Sequence, residues 1–275
     1  MKAMANRASK AQTEVAPTSS VPNSLPPDQQ GLFQEVLASF ETSGRPYAVA
    51  GAFALQKHTG IFRSTKDLDI FLCAESASAV LEDLKRQGFH CEVCDPVWLA
   101  KVHRDGYFVD LITGMSNGVI SVDKTWIERA QPATVLGVPS RVLGAEELLA
   151  SKLFVTRRER FDGADIAHII YATRAELDWN RILQIAGEHW ELVLWNLILF
   201  RYVYPAQIRF IPQWLWEDLL GRIAEQDHAP NVSAKFRGSL VDDAMFAIDV
   251  EEWGLENAQS EYQKRTTKIG ETSTS

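Results

Sequence analysis

Two aspartates two residues apart, Asp67 and Asp69, sit in the run Arg63-Ser64-Thr65-Lys66-Asp67-Leu68-Asp69-Ile70-Phe71. Read as a strand over 66–73, this run sends successive side chains to opposite faces, so Asp67 and Asp69 project together while Leu68, Ile70 and Leu72 point the other way. Two like charges on one strand face destabilise it unless a cation neutralises them. Asp110 stands in a second apolar run, 107–112, and supplies a third carboxylate if that strand pairs beside the first. Convergent carboxylates are hard oxygen ligands, and next to a glycine turn at Gly51 they point to metal-assisted phosphate chemistry.

The elements that must position these groups are legible in outline. A helical spacing of Leu32, Phe33, Val36, Leu37 and Phe40 predicts a helix over 31–42, ended by Ser43-Gly44-Arg45-Pro46. A short strand over 47–50 leads through the Gly51-Ala52 turn into a helix over 53–58 closed by Gly60. After the acidic strand come a helix over 76–87 that stops at Gly88, a strand over 89–93 and the strand over 107–112. Val135 to Val142, broken by Gly137-Val138-Pro139, reads as a hairpin; Gly144-Ala145-Glu146-Glu147 opens a long helix through Arg158, and another helix covers 162–173. This alternation argues an α+β fold built on a small mixed β-sheet flanked by helices. From Asp178 the strand signals vanish and Trp179, Trp190, Trp195, Trp214 and Trp216 crowd in, which predicts a helical subdomain. The expected division is a disordered arm over 1–27, a mixed-sheet domain over 28–175, a helical subdomain over 176–255 and a disordered tail over 256–275.

At 275 residues and 46% apolar content the chain can fill a substantial core. A formal net charge of -8 indicates no general polyanion-binding surface. The three cysteines, Cys73, Cys91 and Cys94, are too few and too clustered for a disulfide framework, and the first 27 residues hold no apolar run of signal-peptide length. Both point to the cytoplasm. The apolar stretch from Leu192 to Phe200 falls short of the roughly 20 residues that span a bilayer, so it is read as a buried core helix and no membrane is expected as a partner. Cys91 and Cys94 lack a second metal-binding pair and are read as packing residues, as are most tryptophans.

Nucleotidyl transfer uses two divalent ions roughly 3.5–4 Å apart, one activating a hydroxyl and one stabilising the departing pyrophosphate. On that reading Asp67 and Asp69 hold magnesium against a triphosphate, and Asp110 completes the ion nearer the acceptor and helps take the hydroxyl proton. Gly51 lets backbone approach the phosphates, and the amides opening the following helix face them.

The set Gly51, Arg63, Thr65, Asp67, Asp69 and Asp110 resembles the polymerase-beta-like nucleotidyltransferase superfamily, whose small bacterial members include antibiotic-modifying and toxin types. The family pattern is a Gly-Gly or Gly-Ser turn, a helix, Arg-x-Thr-x-Asp-x-Asp on a strand, and a distal Asp. Ala52 departs from it, at a position where a hydroxyl would contact phosphate. The resemblance covers about 30–175 and implies the nucleotidyltransferase fold, two Mg2+ ions, and an NTP such as ATP. It further implies nucleotide-binding roles for Gly51, Ala52, Arg63, Thr65 and Lys152, with Arg157, Arg158 and Arg160 in an Arg/Asp-rich segment behind Lys152. The helical remainder corresponds to the acceptor-binding or lid portion that varies most among relatives. Two readings follow: transfer of NMP from an NTP to a hydroxyl of a small molecule or an RNA end, or a catalytically weak nucleotide-binding regulator with a protein partner, as in a toxin–antitoxin pair.

Overall fold

The structure is a computed structural model in which residues 25–270 are described. Most of the expected N-terminal arm lies outside the described residues, and its end is structured: Pro27 fixes the first turn of α1 (Pro27–Ser43). This helix buries Leu32, Phe33, Val36, Leu37 and Phe40 along one stripe, against the sheet, and terminates at Gly44 in the left-handed conformation. The chain continues through β1 (Ala48–Val49), α2 (Gly51–Thr59), β2 (Asp67–Phe71) and α3 (Ala74–Arg86). Then come β3 (His90–Asp95), β4 (Leu99–Arg104), β5 (Tyr107–Ile112), α4 (Lys124–Glu128), β6 (Gln131–Val135) and β7 (Val138–Val142).

These strands form a seven-stranded sheet in the order β3-β4-β5-β2-β1-β7-β6. It is mixed: β2 runs parallel to β5 and β1 parallel to β7, while β1 with β2 and all hairpin pairs are antiparallel. The fold class is therefore α+β, as expected. The acidic strand is central rather than an edge, and Leu68 and Ile70 on its other face are completely buried. The expected hairpin is present and ends at Val142, but it begins earlier, at Gln131, and turns at Leu136-Gly137 with Pro139 inside β7.

Between β3 and α6 two segments depart from expectation. The strand β4, between two predicted strands, was not anticipated. The helix expected to run from Gly144 to Arg158 stops early as α5 (Ala145–Lys152), and the chain folds into a separate two-stranded hairpin, β8 (Thr156–Arg157) and β9 (Arg160–Phe161), before α6 (Gly163–Ala172). Val155 and Thr156 are β-branched and favour the extended chain at that point.

The helical region follows with α7 (Trp179–Ala186), α8 (Trp190–Val203) and α9 (Gln213–His228). Among the described residues no helix is long and apolar enough to cross a membrane. Helix α8, whose stretch from Leu192 to Phe200 is read from the sequence as a buried core helix, buries Val193, Leu194, Leu197 and Phe200 but leaves Trp195 and Ile198 exposed. Three short helices close the chain: α10 (Gly238–Val241), α11 (Ala247–Glu251) and α12 (Gln259–Arg265). The segment from Gly238 to Gly270, whose part after Glu256 is expected to be disordered, returns to the mixed-sheet domain as a strap, and residues 271–275 lie outside the described residues. Thr266 Oγ1 donates to the Gly118 carbonyl at 3.0 Å and Ile269 N to the Pro96 carbonyl at 2.7 Å. At Gly118, φ is +75° and a Cβ would lie 2.8 Å from Gln263 N, so the strap passes where only glycine leaves room.

Candidate active site

The parallel register of β2 and β5 sets Asp69 directly beside Asp110, and Asp67 beside Phe108. Strand alternation puts Asp67 on the same face as Asp69. One oxygen from each of Asp67, Asp69 and Asp110 lies within 4.8 Å of the others, close enough to share a cation. Thr65 fixes the first of them: its Oγ1 donates to Asp67 Oδ1 at 2.6 Å, while its own carbonyl accepts from Gln29 Nε2 of α1 at 2.9 Å. The backbone fixes the second, with Ala50 N donating to the Asp69 carbonyl at 2.9 Å.

The turn from β1 into α2 abuts the carboxylates. Gly51 has φ +54°, and a Cβ there would stand 1.8 Å from Asp69 Oδ2. No side chain caps α2, so its first-turn N–H groups remain donors for an anion in front of the aspartates.

Electrostatics match a cation-binding cluster. Burial, and then the neighbouring Asp67 and Asp110, push the Asp69 carboxyl up to about 7. Asp110 is also raised, because burial outweighs the Lys101 ammonium that donates to its Oδ1 at 2.6 Å. Ionised together, these groups call for positive charge, and three carboxylates form the hard-oxygen donor set that suits Mg2+.

Across a cleft of about 600 Å³ stands a second charged group. Lys152, at the end of α5, is buried and donates to Asp162 Oδ2 at 2.8 Å and Asp165 Oδ2 at 3.0 Å. Arg160 grips Asp162 with two bonds, at 3.1 and 3.2 Å, and Arg63 pairs with Asp165. Burial alone would raise Asp162, but Lys152 and Arg160 outweigh it and hold that carboxyl below its ordinary value.

All the residues singled out in the sequence, Gly51, Ala52, Arg63, Thr65, Asp67, Asp69, Asp110 and Lys152, line this one cleft, as do Arg157 and Arg160. Arg63, in the loop before β2, pairs with Asp165 of α6 rather than with the β2 carboxylates, and Lys152 points inward instead of reaching for solvent. His58 serves structure, its Nε2 meeting the Leu143 carbonyl at 2.7 Å. Cys73, Cys91 and Cys94 are free thiols.

Sequence reasoning missed Lys101, which depends on cross-strand register, and the aromatic wall residue Trp98. The far wall comes from the end of the expected helical region, through Ser239, Leu240 and Val241 of α10, and from Gln259 of α12 in the segment beyond it, while α7–α9 with their tryptophans contribute none of the lining. The strap is held there by Asn117 Nδ2 donating to the Leu240 carbonyl at 2.8 Å and Arg158 N donating to Asp242 Oδ2 at 3.0 Å.

No family model matches the chain, and no curated protein sequence matches it. Among solved structures it is similar to an antigenic nucleotidyltransferase-like protein from Paracoccidioides brasiliensis, at 19% identity over 67% of this chain and 94% of that one, with TM-score 0.43. It is also similar to the lincosamide antibiotic adenylyltransferase LnuA, at 18% identity over 54% of this chain and 98% of the other, TM-score 0.37. A further similar structure is the antibiotic-resistance factor ANT(2'')-Ia, at 15% identity, 73% and 96% coverage and TM-score 0.35.

Proposed function

We propose that the protein is a Mg2+-dependent nucleotidyltransferase that moves NMP from an NTP to a hydroxyl of an acceptor and releases pyrophosphate. The observation that carries this reading is the convergence of Asp67, Asp69 and Asp110 within 4.8 Å, directly in front of the Gly51 turn. Magnesium bound there would neutralise phosphate charge and lower the pKa of the attacking hydroxyl. Asp67 and Asp69 are the residues to hold it on the nucleotide side, each pre-set by its neighbour, Thr65 or the Ala50 amide. On this reading Asp110 completes the ion nearer the acceptor and, with its raised pKa, is suited to help accept the hydroxyl proton. The open amides of α2 receive phosphate oxygens, and the Lys152–Arg160–Arg63 group faces them with positive charge.

For the acceptor, the reading is a small hydroxylated molecule rather than an RNA end. The strap lines the far side of the cleft, and Arg157, which would have continued a basic track past Arg160, is paired with Asp243 of the strap. The test is pyrophosphate release with a panel of labelled NTPs and acceptors. Asp67→Ala and Asp69→Ala should each lower it by about a thousandfold, the factor that several kcal/mol of lost charge stabilisation gives; release at the parent rate would sink the reading.

One feature favours a catalytically weak nucleotide-binding regulator as the second reading: Ala52 puts a methyl group where the turn would otherwise offer a hydroxyl. Calorimetry separates the two. Tight binding of NTP and Mg2+ without product from any acceptor supports the regulator, and product formation rejects it.

A further inference from the structure

The acidic cluster does not stand alone on its sheet face. Residues directly opposite in adjacent strands share a face, and the register places Glu92 of β3, Lys101 of β4, Asp110 of β5 and Asp69 of β2 side by side across four strands. Along this row the charges run negative, positive, negative, negative, so Lys101 stands between Glu92 and the adjacent carboxylates Asp110 and Asp69. The Lys101 ammonium lies 2.6 Å from Asp110 Oδ1 and 3.8 Å from the centre of the Phe108 ring, so one carboxylate of the cluster already has a cation and an aromatic face holds that cation in place. Asp67 and Asp69 have no such cross-strand lysine; their register partners on β5 are Phe108 and Asp110.

We infer that Lys101 is a positioning residue that divides the cluster into a strong divalent site at Asp67 and Asp69 and a weak one at Asp69 and Asp110, so that the free protein takes up one ion and admits the second only by displacing the ammonium from Asp110. This rests on the metal reading of the cluster given above and goes beyond it by assigning the ions unequal affinities and naming the residue responsible. A displaced Lys101 has somewhere to go: Glu92, its neighbour on the other side, is an exposed carboxylate within the same row, with His103 Nε2 at 3.5 Å. The arrangement ties the second ion to arrival of ligand, since a nucleotide and an acceptor bring further oxygens to the weak site and Lys101 alone does not.

The test counts ions without relying on turnover. Mn2+ is titrated into the nucleotide-free full-length protein and free Mn2+ is followed by electron paramagnetic resonance. The parent should bind one ion with a second at least about tenfold weaker, whereas Lys101→Met, which keeps the stem over Phe108 and removes the charge, should tighten the second site about tenfold or more, the scale of one charge-assisted hydrogen bond. Lys101→Arg keeps a cation and should retain the parent's unequal pattern. Two ions of equal affinity in the parent would overturn the inference without any variant, and so would a folded Lys101→Met protein that titrates like the parent. A parent that binds no Mn2+ at all would instead remove the metal reading on which the inference stands.

Discussion

Gly51 and Asp69 occupy one space: a Cβ on residue 51 would stand 1.8 Å from the Asp69 Oδ2 atom, and residue 51 also has φ +54°. Glycine is thus required twice over, once by the backbone and once by the carboxylate it abuts. Gly51→Ala must either rotate the turn, at about 1–2 kcal/mol for a left-handed alanine, or push Asp69 off its position. The expected outcome is a protein that still folds, with a lower Tm, and with Mn2+ affinity and pyrophosphate release each reduced about tenfold or more. Unchanged Mn2+ affinity would show that the turn does not position the carboxylate.

Lys152 is buried between Asp162 and Asp165. Lys152→Met leaves two buried carboxylates with only the partly exposed Arg160 and Arg63 to offset them. Removing one partner of a buried ion pair costs about 3 kcal/mol, so urea unfolding should show a loss of that order. Adding Asp165→Asn to the Met variant should recover part of it. A loss below about 0.5 kcal/mol, the range of ordinary surface changes, would mean that Lys152 is not the anchor of this group.

The period-two pattern of Asp67-Leu68-Asp69-Ile70 was enough to place both carboxylates on one face, because a central strand buried on its other side leaves no freedom to slip. Asp110 followed from the same logic, since Val109 and Leu111 must face the core beside Leu68 and Ile70. What stayed hidden depends on partners distant in sequence. Leu99-Ala100-Lys101-Val102-His103-Arg104 carries too weak an alternation to declare β4, and Lys101 gains its meaning only from standing opposite Asp110. The end of α5 has no glycine or proline to mark it. The end of the strap, past Glu256, was illegible for another reason: it is polar, lacks apolar periodicity, and is fastened by single hydrogen bonds and a few buried residues such as Ala258 and Ile269.

One fastening of the strap should depend on pH. His189 Nε2 meets the Tyr262 hydroxyl at 3.0 Å, with Glu188 and Arg237 alongside and the Phe154 ring against it. Burial first, and then repulsion from Arg237, hold His189 below its ordinary 6.5, only partly offset by Glu188. The folded state favours the neutral ring, so the unfolded chain takes up the proton first. The contribution of this contact is therefore full above pH 6.5 and is lost as pH falls through the lower folded value. Melting temperature followed from about pH 8 to about pH 5 should fall more steeply for the parent than for His189→Gln, and α12 amides should lose exchange protection first. Parallel curves for the two proteins would rule the contact out as a pH-sensitive one.

Val241 offers a way to separate the two sides of the cleft. It lies on α10 of the strap, half-buried, with its carbonyl approached by Thr156 Oγ1 at 3.5 Å, and it lines the same cleft as Gly51 and Ala52. An indole placed there has room to enter the cleft and removes volume from the acceptor side while leaving Gly51, Asp67 and Asp69 untouched. Val241→Trp should lower acceptor-dependent pyrophosphate release about tenfold or more, mainly through KM for the acceptor, while Mg2+-NTP binding measured by calorimetry changes less than about twofold. Equal losses in both would place the nucleotide rather than the acceptor against the strap. Undiminished release would mean that the acceptor reaches Asp110 from the open side of the cleft, and the strap would then be a brace for the Gly114-Met115-Ser116-Asn117-Gly118 turn to which Asn117, Gln263 and Thr266 bind it.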